Sequence, residues 1–291
     1  MIVKEIVKAK IASLLSADEE IQIVEQLGGM TNQNYLVKTT LNQYIVKFFG
    51  KGTDKLIDRQ NEKYNLELLK DLKLDVENYL FDIEAGIKVN QYIENAETLN
   101  FNTIKTKFEK IAPILQTIHA SGKELKGEFA PFEEIKKYES LIQGEISYPN
   151  YEAVRKAVFS LKEELEQIGM DKKSCHIDLV PENFIEGPDG HLYLIDWEYS
   201  SMNDPMWDLA ALFLESEFTS AEEEDFLSHY ESDKTPVSRE KIRIYKILQD
   251  IIWSLWTIYK EENGADFGDY GISRYNRAVK ELESEGDLNE N

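Results

Sequence analysis

Apolar positions fall into two regimes along the chain. In roughly the first ninety residues they come in short runs broken by turn residues. Ile21 to Leu27, Tyr35 to Thr40 and Tyr44 to Phe49 read as strands. Asp75 to Tyr92 reads as two more around the turn Glu84-Ala85-Gly86. Two helices join them: residues 2 to 16, with Ile2, Ile6, Val7, Ile11 and Leu14 on one stripe, and about Asp54 to Leu72. Beyond residue 93 the apolar spacing turns to three and four. Phe101, Ile104, Phe108, Ile111, Leu115 and Ile118 predict a core helix over Asn100 to Ala120, kinked near Pro113. Helices follow near Pro131 to Gln143 and over Tyr151 to Ile168, the latter stopped by Gly169. Asp204 caps a helix to about Glu217 with Pro205 in its first turn; another spans Thr219 to Tyr230, with its capping box placed at Ser220 to Glu223. Ser238 to Glu262 is the last long helix. The expected class is α+β, a sheet-based part over residues 1–93 and a mostly helical part over 94–291.

The densest chemistry lies between Cys175 and Glu215. His176, Asp178 and Asn183 stand in the pattern H-x-D-x-x-x-x-N. After a turn at Gly187-Pro188-Asp189-Gly190, an apolar strand from His191 to Ile195 ends at Asp196. This is the spacing of a kinase-type catalytic loop followed by a metal-binding aspartate. Phosphoryl transfer asks the protein for positioning and charge neutralisation more than for covalent chemistry. Asp178 is the candidate to orient a substrate hydroxyl and take its proton. Asn183 and Asp196 offer the hard oxygens that Mg²⁺ prefers, and His176 supports the loop. The loop pattern alone is a weak signal; the Asp-bearing strand in register strengthens it.

Ile195 to Glu215 then reads I-D-W-E-Y-x-x-x-N-x-x-x-x-D-x-x-x-x-x-x-E, with Asn203, Asp208 and Glu215 at the marked places. On this stretch the chain resembles the choline/ethanolamine kinase family, within the wider aminoglycoside phosphotransferase and protein kinase-like superfamily. The resemblance implies a two-lobed protein kinase-like fold, ATP and Mg²⁺ as cofactors, and choline as the substrate phosphorylated.

Lys47 sits in the middle of an otherwise apolar strand, where a charge is costly unless paired. A kinase lysine at this place holds the ATP phosphates and pairs with a helix glutamate. Glu62 is the candidate partner, with Glu67 and Asp58 on the same helix. An edge-strand lysine reaching solvent is the bland alternative. The bend Gly28-Gly29-Met30-Thr31-Asn32 could lay backbone N–H groups against phosphates or be an ordinary hairpin. The family uses a similar G-G-x-[ST]-N loop, which implies a nucleotide role for Gly29, Thr31 and Asn32. By position and resemblance alone, Gln91, Tyr92 and Ile93 form the hinge that meets adenine.

Trp253 and Trp256 are three apart on the last long helix and share a face. Core packing is the usual reason for such a pair. A trimethylammonium group cannot donate hydrogen bonds, so a protein holds it by cation–π contact and a nearby carboxylate. The resemblance gives that role to Trp253, Trp256, Tyr199 and Glu215, with Tyr270 a further family-like aromatic. Asp208 and Glu215 lie seven apart on one helix face, which suits either a solvated acidic stripe or a pair of roles, Asp208 bracing the catalytic loop and Glu215 attracting a cationic head group. His119 reads as a packed helix-end histidine.

Composition narrows the field. The 291 residues carry a formal net charge of -22. That argues against nucleic acid and is compatible with a cationic substrate or with solubility alone. No apolar run reaches membrane length and no leader pattern stands at the start, so no membrane span is expected. The single cysteine, Cys175, fits a reducing cytoplasm. The rival readings are an ethanolamine or other amino-alcohol kinase, an aminoglycoside kinase, and a non-catalytic pseudokinase that binds choline or nucleotide.

Overall fold

The computed structural model describes residues 2–16, 18–29, 32–50, 52–284 and 286. The chain groups into two compact units: residues 1–114 with 181–200, and 115–180 with 201–291. The first therefore runs beyond residue 93 and takes back the segment after Val180.

The first unit is built on a five-stranded antiparallel sheet: β1 (Ile21–Leu27), β2 (Gln33–Thr39), β3 (Gln43–Phe48), β4 (Asn78–Asp82) and β5 (Ile87–Gln91). Their order is β1-β2-β3-β5-β4. Val37, Val46, Ile87 and Val89 are fully buried and pack with Val7 and Ile11 of helix α1 (Ile2–Ile11). That α1 face removes apolar surface from water on one side of the sheet. Helix α2 (Arg59–Leu69) is shorter than its apolar pattern suggested. The Asp58 side chain accepts from Gln60 N at 2.9 Å and Asn61 N at 3.1 Å, and so starts the α-helix at Arg59. Single 3-10 turns, Thr53–Lys55 and Lys70–Leu72, flank it. A three-stranded sheet, β6 (Glu97–Thr98), β8 (Phe184–Glu186) and β9 (Leu192–Leu194), completes this unit.

The expected helix over Asn100 to Ala120 is only α3 (Phe108–His119), with Pro113 inside it. Asn100 Oδ1 accepts from Asn102 N at 2.9 Å and Thr103 N at 3.1 Å, which bends the chain before the helix. Phe101, placed on the stripe by its spacing, is exposed instead.

The second unit is helical: α4 (Pro131–Leu141), α5 (Tyr151–Ile168), α6 (Pro205–Glu215), α7 (Ser220–Tyr230), α8 (Arg239–Glu262) and α9 (Tyr270–Ser284). A two-stranded sheet pairs β7 (Lys173–Cys175) with β10 (Ser201–Asn203). The capping box of α7 uses Thr219 with Glu222, one residue earlier than the sequence pattern suggested. α9 was not foreseen, because Gly268 and Gly271 and a weakly apolar composition obscure its start. It packs closely on α8: a Cβ on Gly271 would lie 2.9 Å from Thr257 Cβ, so only glycine fits there. Among the described residues no helix is long and apolar enough to cross a membrane.

Candidate active site

In the first unit the β3–β5 register sets Lys47 directly opposite Lys88. Both are buried. Two ammonium groups so placed repel unless each finds a carboxylate. Lys47 Nζ donates to Asp196 Oδ1 at 2.5 Å, and Lys88 Nζ donates to Glu62 Oε1 at 2.7 Å. The other Glu62 oxygen accepts from Arg59 Nη1 at 2.6 Å. Arg59 Nη1 also donates to Glu198 Oε2 at 2.9 Å. The expected Lys47–Glu62 pair is thus replaced. Lys88 takes Glu62, and Glu62 reaches Lys47 only through its field.

Electrostatics follow from this wiring. Burial disfavours the Lys47 ammonium, but Asp196 and Glu198 outweigh it and hold the group above its ordinary value. Burial pushes the Glu62 carboxyl up, yet Lys88 and Arg59 bring it below the usual carboxylate range. Glu198 is pushed up by burial and by the charge of Asp196.

Asn32, expected at the phosphates, is buried and bonded into the same network. Its Nδ2 donates to Glu198 Oε2 at 2.7 Å, and its Oδ1 accepts from Arg59 Nη2 at 3.1 Å and Gly50 N at 3.2 Å. Its side chain therefore ties the β1–β2 bend to α2. At Gly29 a Cβ would lie 2.6 Å from Asn34 Nδ2 and 2.7 Å from Asn32 O, so the bend has no room for a side chain. Thr31 lies outside the described residues. Gln91 ends β5, and its N–H donates to Glu77 O at 2.8 Å. Tyr92 and Ile93 follow it, half-buried.

The β8–β9 hairpin brings Asn183 and Asp196 to its open end. Phe184 pairs with Leu194, and Ile195 N donates to Asn183 O at 2.8 Å. Its tip closes through Gly187 N to His191 O at 2.8 Å, with Gly190 at φ 79°. Asp196 stands at φ 68°, a left-handed conformation that strains a non-glycine residue. Tyr199 lies in the helical turn Trp197–Tyr199 of this unit.

In the second unit Asp208, fully buried on α6, clamps the start of the loop that carries Asp178. Its Oδ2 accepts from His176 N and its Oδ1 from Ile177 N, each at 2.8 Å. Ile177 has φ 78°, which is uncommon for a β-branched residue. Its carbonyl accepts from Trp207 Nε1 at 3.0 Å. Two consecutive α6 residues thus hold a strained backbone, and Asp178 is the next residue along. His119 Nε2 bonds Asp208 Oδ2 at 3.0 Å, and its Nδ1 bonds the Tyr230 hydroxyl at 2.7 Å. His119, Cys175 and Asp208 lie close enough to ligate a metal. The bonds of His119 and Asp208 account for them as a structural network, and Cys175 Sγ points to Asn203 O at 3.5 Å.

The aromatic residues form a chain. Trp253 and Trp256 meet edge to face at 6.4 Å, Trp256 meets Phe267 at 5.0 Å, and Phe267 meets Tyr270 at 6.5 Å. Both tryptophans are buried. Asp178 is near enough to this end for its charge to act on Tyr270 and Arg274. Glu215, at the end of α6, is ion-paired to Arg274.

The family model for choline/ethanolamine kinases matches residues 23–279. The chain belongs to the choline/ethanolamine kinase family. Membership makes it an ATP-dependent kinase acting on an alcohol. Among solved structures, this kinase is 77% identical to choline kinase LicA from Streptococcus pneumoniae, covering 98% of this chain and 100% of that one with a TM-score of 0.94. It is 78% identical to a LicA in complex with AMP, over 97% of this chain and 98% of that one, with a TM-score of 0.92. Protein LicA of Haemophilus influenzae is 30% identical over 266 residues, 87% of this chain and 99% of its own length.

Several charged members of this kinase's site were missed by sequence reasoning. Arg59 and Glu198 carry the buried network of the first unit, and Glu198 was visible as the second acid of I-D-W-E-Y. Lys88 could have been found by the rule that exposed Lys47 to notice, a lysine inside an apolar strand. Arg274 lies one turn after Tyr270, on a helix whose start was not seen.

Proposed function

We propose that this kinase transfers the γ-phosphoryl group of ATP to the hydroxyl of choline, releasing phosphocholine and ADP. The likeness to the pneumococcal choline kinase carries this reading; the aromatic chain from Trp253 to Tyr270 supports it from within this molecule. Asp178 orients the choline hydroxyl and accepts its proton as the oxygen attacks the γ-phosphorus and the bond to ADP breaks. The clamp on Ile177 holds Asp178 for that task. Lys47 neutralises ATP phosphate oxygens, sharing its charge with Asp196. The backbone from Gln91 to Ile93 is assigned to adenine, with the Gln91 N–H already bonded to Glu77 O. Trp253, Trp256 and Tyr270 offer ring faces to the ammonium, and Tyr199 is assigned to the same substrate.

The amide oxygen of Asn183 and the carboxylate of Asp196 are hard donors at one hairpin end, and the Asp196 side chain keeps 27% of its surface exposed. That donor set fits Mg²⁺. When bound, Mg²⁺ supplies charge neutralisation on the phosphate oxygens.

The test is ADP release with Mg²⁺ and choline, ethanolamine or kanamycin, with Asp178→Ala beside the parent. Choline-dependent turnover lost in the variant supports the reaction and the aspartate's role. Turnover with ethanolamine or kanamycin alone keeps the phosphotransferase and removes choline as its substrate.

A further inference from the structure

Arg274 carries a full positive charge in a nearly closed setting: only 4% of its surface is exposed. One end of its guanidinium group, Nη2, is paired with Glu215. The other, Nη1, donates to Asp250 Oδ1 at 2.9 Å. Its central carbon lies 4.9 Å from the centroid of the Tyr270 ring. A carboxylate and an aromatic face are what a quaternary ammonium needs from a protein. Here both are already held by a cation of the chain itself.

The two carboxylates differ in how much they need Arg274. Asp250 is independently neutralised by Arg277, whose Nε and Nη2 donate to its two oxygens at 2.6 Å each. Among the described residues, the ion-pair partner of Glu215 is Arg274. A substrate cation drawn to Glu215 would meet Arg274 already in place there. Burial and the neighbouring Arg277 pull the guanidinium down to about 9, with Asp178 opposing them. Arg274 stays charged at neutral pH, but its surroundings do not hold it as firmly as water would.

We propose that Arg274 is a built-in competitor for the substrate cation, holding Glu215 and the Tyr270 ring when choline is absent and yielding them when it binds. This rests on the choline reading. Arg274 then sets affinity. A cation must outbid an intramolecular guanidinium, and the displaced group keeps its bond to Asp250. Apparent affinity scales with the fraction of molecules in which the subsite is open. If Arg274 holds it nine-tenths of the time, choline binds ~10-fold more weakly than to the open site.

The experiment is calorimetric titration of choline, without nucleotide, into the parent and Arg274→Gln. A Kd for choline about 10-fold lower in the variant, with a matching fall in KM, is the expected result. An unchanged or raised Kd overturns the proposal and makes Arg274 a group that positions Glu215. Binding by the parent with no gain in the variant removes this inference alone; no binding by either protein removes the choline reading with it. Should the variant fail to fold, a crystal structure of the parent with choline decides. Arg274 released from Glu215 supports the competitor, and an intact Arg274–Glu215 pair with choline bound refutes it.

Discussion

Replacing Asp208 by asparagine tests how the catalytic loop is held. The Asp208 carboxylate accepts two backbone N–H groups, His176 and Ile177, at 2.8 Å each, and bonds His119 at 3.0 Å. It is fully buried. Hydrogen bonds to a charged group contribute about 1.5–3 kcal/mol each. Asparagine keeps one oxygen but turns an N–H toward the other backbone donor, so one bond is lost and one buried N–H is left unpaired. The cost should be about 2–5 kcal/mol, read as a fall in urea midpoint at unchanged slope. Ile177 would lose part of what holds it at φ 78°. Relaxation there displaces Asp178, and a shift of about 1 Å costs on the order of 10²-fold in kcat. KM for ATP should move far less than kcat, because Asp208 belongs to the second unit and Lys47 to the first. A variant with stability within about 0.5 kcal/mol of the parent and undiminished kcat would refute the argument that this carboxylate holds the loop.

Three further outcomes follow from the same geometry. Lys47→Met keeps the apolar stem and removes the charge that pairs with Asp196; kcat/KM for ATP should fall by about 10²–10³, and steady-state kinetics showing a loss under tenfold would remove the phosphate role. Trp256→Leu should raise the choline KM by about 2- to 30-fold, the equivalent of 0.5–2 kcal/mol of cation–π attraction; an unchanged KM would return Trp256 to plain core packing. Asp75 supplies a pH test. Burial raises its carboxyl from 3.8 to about 7, with Lys88 opposing. The folded state thus holds a proton between about pH 4 and 7 that the unfolded chain has lost, and stability falls as pH rises through that window. Asp75→Asn removes this penalty, so its gain in urea midpoint over the parent should be larger at pH 8 than at pH 4; equal differences at the two values would count against it.

Local rules reached far in this chain. β1, α5 and α8 lie within a residue or so of where apolar spacing and capping residues put them. The Asn183–Asp196 hairpin was legible because its turn residues and strand lengths are local. The shortfalls are also physical. Asp58 and Asn100 each bond nearby backbone N–H groups and cut back helices that periodicity alone would extend. α9 was hidden by glycines, one of which is required by close approach to α8 and not by its own backbone preference.

What the sequence by itself determined is which groups must be present and which could not stay unpaired: a loop aspartate, two oxygen donors at a hairpin end, and buried cations in need of carboxylates. Only the tertiary structure decided the partners. Lys47 went to Asp196, 149 positions away, and Glu62 went to Lys88 and Arg59, because cross-strand register puts the two lysines side by side. The same holds for Glu215, a helix carboxylate that the fold pairs with Arg274. Periodicity and capping act over a few residues of one segment, whereas the choice among charges in a buried cluster depends on distances between segments that no local pattern contains.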